Sequence, residues 1–174
     1  STEDEEPTPR KRGKKSDLRN PRDFLLRRLA AADRLRKKVL RLPDETDAYR
    51  VVHAEGDDLS GLVVDRLGAA LVCEYHALGF WRLRAEIGSA LSELYPGFRV
   101  YQRVPKSARA AEGFEPEGPE EQAEELWITE NGLRFPVLPA QGHKTGWFCD
   151  QRENRALVAR YAAGADVLDL CCNL

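Results

Sequence analysis

Methionine is missing from all 174 residues, and aromatic residues make up only 8% of the chain. A sequence without even an initiator is expected to be a processed product or an excerpt of a longer one. Histidine occurs three times and cysteine four, at Cys73, Cys149, Cys171 and Cys172. The cysteines do not form the closely spaced pairs that zinc sites use, so neither a metal site nor a disulfide framework is expected. Cys171 and Cys172 sit side by side in an apolar run and read as small hydrophobic filling. His53 and His76 stand apart without a visible partner and read as structural. No apolar run approaches the roughly 20 residues of a membrane span. The opening STEDEEPTPRKRGKK also lacks the apolar stretch of a secretory signal. Reduced thiols, no membrane partner and a cytoplasmic location are the expectations.

What the chain has in abundance is charge, at 32% of residues, and it is unevenly spread. The net charge of −2 conceals a segment, 10–41, with 14 Lys/Arg against three acids, and another, 112–125, with seven Glu and no base. A uniformly basic nucleic-acid surface is excluded, whereas a local basic face is not. The length suits one ordinary domain or two small ones with a core of their own. Residues 1–19 are too polar to repay the entropy of ordering and are expected to form a disordered charged tail.

A helix is predicted from Asn20 as N-cap, with Pro21 in the first turn and Asp23 where negative charge suits the helix dipole. Leu25, Leu29, Ala32, Leu35, Val39 and Leu42 supply its apolar stripe, and Pro43 ends it. Arg27, Arg34, Lys38 and Arg41 lie roughly opposite, as a solvated face or as one turned toward phosphates. Strand-type spacing then takes over. Tyr49–His53 reads as a strand, Glu55–Asp58 as a turn, and Gly61–Arg66 with Ala70–Tyr75 as a hairpin. Phe80, Leu83, Ile87, Leu91 and Leu94 mark a second helix, and Phe98–Val104 a further strand. Residues 112–125 read as a Pro/Gly/Glu loop. Two short strands between Leu126 and Val137 flank Asn131-Gly132, a strong hairpin signal.

The run Lys144-Thr145-Gly146-Trp147-Phe148-Cys149-Asp150-Gln151-Arg152-Glu153-Asn154-Arg155 opens a helix that Gly164 closes. Asp166 to Asn173 follows as an apolar strand of the kind that starts a parallel sheet, with Asp169 near its tip. These two segments, KTGWFCDQRENR and VLDLCCN, resemble the start of the catalytic domain of class I S-adenosylmethionine-dependent RNA methyltransferases. The type they resemble is the ribosomal large subunit methyltransferase I family. FLLRRLAAADRLRKKV and YRVVHAEGDDLSGLVVDRLG are similar to that family's central domain.

The resemblance implies an α/β chain with an α+β central domain over 20–140, headed by the basic helix. The first helix and strand of a Rossmann-like methyltransferase domain would occupy 141–174. It implies an enzyme that methylates C5 of a cytosine in 23S rRNA, with S-adenosylmethionine as donor and RNA as partner. Phe148, Gln151, Arg152 and Asp169 would border the cofactor. Arg27, Arg34, Lys38, Arg41 and Lys144 would face RNA, with Lys144 and Thr145 placed either near RNA or at the hinge between the domains. Two bland readings stand beside these: Asp150 and Arg152 pairing to cap the helix, and Phe148 belonging to the core. The glycine-rich cofactor turn and the catalytic cysteine of the family have no counterpart here, and none of the four cysteines takes that role. The chain is therefore expected to be a segment of such an enzyme. A non-catalytic RNA-binding module and a non-functional truncated product are the alternatives. In such a segment the strand over 166–174 is expected to fray, or to dock in a non-native place, for want of neighbours.

Overall fold

The computed structural model describes residues 20–116, 124–139, 144–168 and 170. The expected charged tail and Asp169 lie outside the described residues, as do Cys171–Leu174.

Helix α1 spans Pro21–Arg34 and starts as its sequence dictates, with the Asn20 side chain accepting from the Asp23 amide. Leu25, Leu29 and Ala32 are buried. Beyond Arg34 the expected stripe breaks. Residues Leu35–Val39 form a π-type turn in which the Leu40 amide reaches back to the Leu35 carbonyl. The wider turn shifts the facing frame, so Leu35 and Val39 are 38% and 70% exposed, and Arg36 takes the inward position. Its guanidinium meets the Asp57 carboxylate at 2.5 and 2.9 Å and also donates to the Arg50 carbonyl. Asp57 belongs to the EGDD turn and in addition accepts the His53 amide. The ion pair, not apolar spacing, sets this end of the helix.

The main sheet runs β1 (Ala48–His53), β2 (Leu62–Leu67), β3 (Ala70–Tyr75) and β4 (Arg99–Arg103), in that spatial order. Its first three strands are antiparallel and β4 lies parallel to β3. The crossover to β4 carries two helices, α2 (Leu78–Arg82) and α3 (Arg84–Leu94), where one was expected. A short helix that the expected strand–loop order did not include, α4 (Lys106–Glu112), follows β4. Strands β5 (Leu126–Glu130) and β6 (Leu133–Val137) form the expected hairpin. Asn131 and Gly132 have φ of 51° and 79°, as a primed two-residue turn requires. Helix α5 (Arg152–Tyr161) is the last element among the described residues. Residues 166–168, where a strand was expected, are not in one, and Val167, Leu168 and Leu170 are exposed.

Because side chains alternate across a pleated sheet, the four strands present two different faces. One face sends Tyr49, Val64, Leu71, Cys73 and Tyr75 against α1 and α3, closing the larger core with Leu29, Ile87 and Leu91. The other joins Ala48, Leu67, Val72 and Tyr101 to Ile128 and Val137 of the hairpin and to Trp147. This second face also carries Arg50, Asp65, Glu74 and Arg103 at alternating positions. Residues 144–155 settle there.

Candidate functional site

Three successive contacts fasten the Lys144–Phe148 run to the sheet. Arg103 on β4 donates to the Lys144 carbonyl at 2.9 Å. The Thr145 hydroxyl donates to Asp65 Oδ2 at 2.7 Å, deep in β2, where Asp65 and Thr145 are both fully buried. Trp147 then packs on Phe135, with ring centroids 5.0 Å apart, and its indole N–H points to Glu130 at 3.3 Å. Gly146 between them is required by geometry. Its φ of 116° is open to glycine alone, and a Cβ there would lie 2.5 Å from the Leu138 carbonyl oxygen.

Both carboxylates that receive this run are charged groups inside an apolar setting, which is tolerable only with full pairing. Asp65 is held by Arg50 through two hydrogen bonds of 2.8 and 3.1 Å besides that of Thr145. The Asp65 hydrogen bonds hold the Arg50 guanidinium protonated still more firmly than usual, against the opposing effect of its own burial. Glu130, 3% exposed at the end of β5, takes Arg155 of α5 at 2.7 Å on each oxygen. Arg155 also donates twice to the Phe148 carbonyl at 3.1 Å, so it ties the turn before α5 to the hairpin.

The residues expected at the cofactor do not converge as a group. Phe148 is half-buried beneath Lys144, whose ammonium stands 4.6 Å from the ring centre. Gln151 is exposed, its side-chain oxygen engaged by Asn154. Arg152 is buried and turns the other way, toward Glu45 and Glu153. Its Nε lies 3.4 Å from the Glu45 carboxylate but out of line for hydrogen bonding, and remains a buried donor without an acceptor. Beside it opens a cavity of about 450 Å³ bounded by Glu45, Asn131, Arg152, Asn154 and Arg160. Of the described residues expected at the cofactor, Arg152 alone lines that cavity. The supposed cap pair of Asp150 and Arg152 is not formed. Asp150 instead binds Lys144 Nζ at 2.7 and 2.8 Å, and this hydrogen bonding holds its carboxyl below the usual range.

Neither described cysteine is a ready nucleophile. Burial pushes the Cys73 thiol up to about 12, and burial together with the Asp65 charge pushes Cys149 up as well. Among the described residues no cluster of His, Cys, Asp or Glu could hold a metal ion. No described helix is long and apolar enough to cross a membrane.

Arg27 and Arg34 of α1, Lys38 of the π turn and Arg41 just beyond it are all exposed. Arg41 pairs with Asp44 at 2.6 Å, whereas Arg34 and Lys38 have no ion pair with a described residue. Lys144 is exposed but lies with the 144–155 run, committed to Asp150. The structure thus separates it from the helical row. Reading the sequence for function overlooked Asp65, Glu74, Glu130, Arg50 and Arg103. The available signal was an acid or base interrupting otherwise apolar strands, as in LVVDRL and LVCEY, since such a residue demands a partner from elsewhere in the chain.

No family model matches the chain. Curated relatives do. A ribosomal RNA large subunit methyltransferase I of Erwinia tasmaniensis is 40% identical over 151 residues, covering 84% of this chain and 38% of its own length. Those of Shewanella amazonensis and Tolumonas auensis are 37% and 39% identical, covering 87% and 91% of this chain and 39% and 41% of themselves. A solved structure described as a SAM-dependent methyltransferase from Streptococcus mutans aligns with TM-score 0.61 at 25% identity, over 79% of this chain and 35% of that one. Another, described as a methyltransferase complexed with SAH, aligns with TM-score 0.60 at 24% identity, over 77% of this chain and 34% of the other, and shares its fold. The α/β chain described here is thus homologous, over most of its residues, to the ribosomal RNA large subunit methyltransferase I proteins, and spans about two fifths of their length.

Proposed function

We propose that this chain is a segment of an S-adenosylmethionine-dependent methyltransferase acting on large-subunit ribosomal RNA in the cytoplasm, at C5 of a cytosine in 23S rRNA. The observation that carries the reading is the 36–40% identity to curated relatives of that name, which extends over most of the chain. S-adenosylmethionine supplies a methyl group already activated on a sulfonium. The protein therefore has to orient donor and acceptor in line and stabilise the changing charge.

Within this division of labour the chain contributes binding and placement. Arg152 offers a buried, unsatisfied N–H beside a cavity, a donor that a ligand carboxylate could accept from. Glu45 and Glu153 on the same rim would face an ammonium group, so the amino-acid end of the donor fits this donor set. Phe148, Gln151 and Asp169 are proposed at the cofactor from the family resemblance, and the described two, Phe148 and Gln151, lie outside the lining of that cavity. Arg27, Arg34, Lys38 and Arg41 would meet RNA phosphates from α1, its π turn and the residues just beyond, with Lys144 as a separate contact on the 144–155 run. Attack on C6 of the base requires a thiolate, and none of this chain's cysteines is assigned that role.

The test is transfer of labelled methyl from S-adenosylmethionine to large-subunit rRNA by the protein expressed from its complete gene, with the product nucleoside identified by mass spectrometry. Labelled 5-methylcytidine is the expected product. Label in another nucleoside corrects the position, and no transfer to any rRNA overturns the reading.

A further inference from the structure

The Lys144–Arg155 run contains Phe148, Gln151 and Arg152, proposed at the cofactor, while its Thr145, Trp147 and Arg155 side chains are committed to this chain's own strands. Two buried carboxylates from different sheets receive it. Asp65 of β2 accepts Thr145, three residues before Phe148. Glu130 of β5 accepts Arg155, three residues after Arg152, and also Trp147. The turn Phe148–Arg152 is therefore pinned at both ends, and Arg155 reaches back to the Phe148 carbonyl as well.

Burying two charges is a poor way to gain stability, because their desolvation offsets most of the Coulomb attraction. What such pairs do supply is direction. A carboxylate with fixed partners accepts a donor from one place, whereas an apolar contact would allow the segment to slide along the sheet. Gly146 adds a steric stop against the Leu138 carbonyl.

We propose that Asp65 and Glu130 are positioning residues, which act through Thr145, Trp147 and Arg155 to hold the Phe148–Arg152 turn in the one register that binds the methyl donor. This rests on the cofactor reading of that turn. Neither carboxylate touches the donor itself.

The experiment uses the protein expressed from its complete gene and compares it with Thr145→Val, Thr145→Ser and Glu130→Gln. Binding of S-adenosylmethionine is measured by calorimetry. Alkylation of Cys149 by iodoacetamide, followed by peptide mass spectrometry, reports release of the turn. Losing a buried hydrogen bond to a charged carboxylate corresponds to roughly a tenfold to hundredfold change in such an equilibrium. Thr145→Val is expected to weaken donor binding and accelerate Cys149 alkylation by factors in that range, while amide exchange in the β2–β3 hairpin stays at the parent rate. Thr145→Ser, which restores the hydroxyl, is expected to recover both, and Glu130→Gln to behave like Thr145→Val. Donor binding that survives Thr145→Val and Glu130→Gln unchanged overturns the proposal while leaving the cofactor reading intact. Absence of donor binding by the unsubstituted protein overturns the cofactor reading itself. Loss that serine does not recover shows that the hydroxyl is not the element that matters, and also overturns the proposal.

Discussion

Replacing Arg36 by methionine isolates the interaction that ends the first helix. The substitution keeps most of the side-chain volume and removes the charge. Asp57, whose side chain is 5% exposed, then loses the two hydrogen bonds of 2.5 and 2.9 Å that compensate its burial. It retains only the His53 amide at 2.6 Å. The Arg50 carbonyl loses a donor at 3.2 Å as well. Breaking a buried pair from one side costs about 3–5 kcal/mol, because the remaining charge is left uncompensated. At about 2–4 °C per kcal/mol for a chain of this size, Tm falls by roughly 6–20 °C. The double variant Arg36→Met, Asp57→Asn removes the orphaned charge while keeping an acceptor for His53. It is expected to recover about 2 kcal/mol or more of the loss, which a double-mutant cycle in urea will show as coupling. A single variant within about 1 kcal/mol of the parent, or a double variant no better than the single, refutes the view that this ion pair sets the helix end.

Further outcomes follow from the same contacts. Gly146→Ala places a Cβ against backbone that cannot yield and adds the strain of a positive φ, together about 2–5 kcal/mol. It should release the 144–155 run, seen as faster amide exchange there, before it lowers the stability of the main sheet. Charge reversal at Arg34 and Lys38 should weaken binding to every RNA tested by a similar factor and flatten its salt dependence, since phosphate contacts carry no sequence information. Unchanged RNA retention in filter binding would show that face to be merely solvated. Hydrogen bonding from Lys144 depresses the Asp150 carboxyl, so what this pair contributes is present above the ordinary aspartate range and is lost as pH falls through the lowered value. An NMR titration should place the Asp150 midpoint below that of a free aspartate, and Lys144→Met should move it upward.

Local order in this protein was legible in its residues wherever a short-range rule acts alone. Asn20, Pro21 and Asp23 specify a helix start by capping and dipole chemistry, and Asn131-Gly132 specifies a hairpin because both residues tolerate positive φ. The apolar, Val-rich runs in 62–67 and 70–75, joined at Gly68, located the central strands. The KTGWFCDQRENR run was recognisable by its similarity to a family. Its division of labour was not. Spacing alone continued the α1 stripe through Leu35 and Val39, but the π turn turns Arg36 inward, because a carboxylate 21 residues away lies within reach of its guanidinium. Asp65, as an acid in an otherwise apolar strand, announced the need for a partner but not its identity, since the pairs that Asp65 and Glu130 form join residues 80 and 25 positions apart. Periodicity reports which face a side chain occupies. Which buried charge meets which partner depends on how the sheet and hairpin bring distant strands together, and only the tertiary structure decides that.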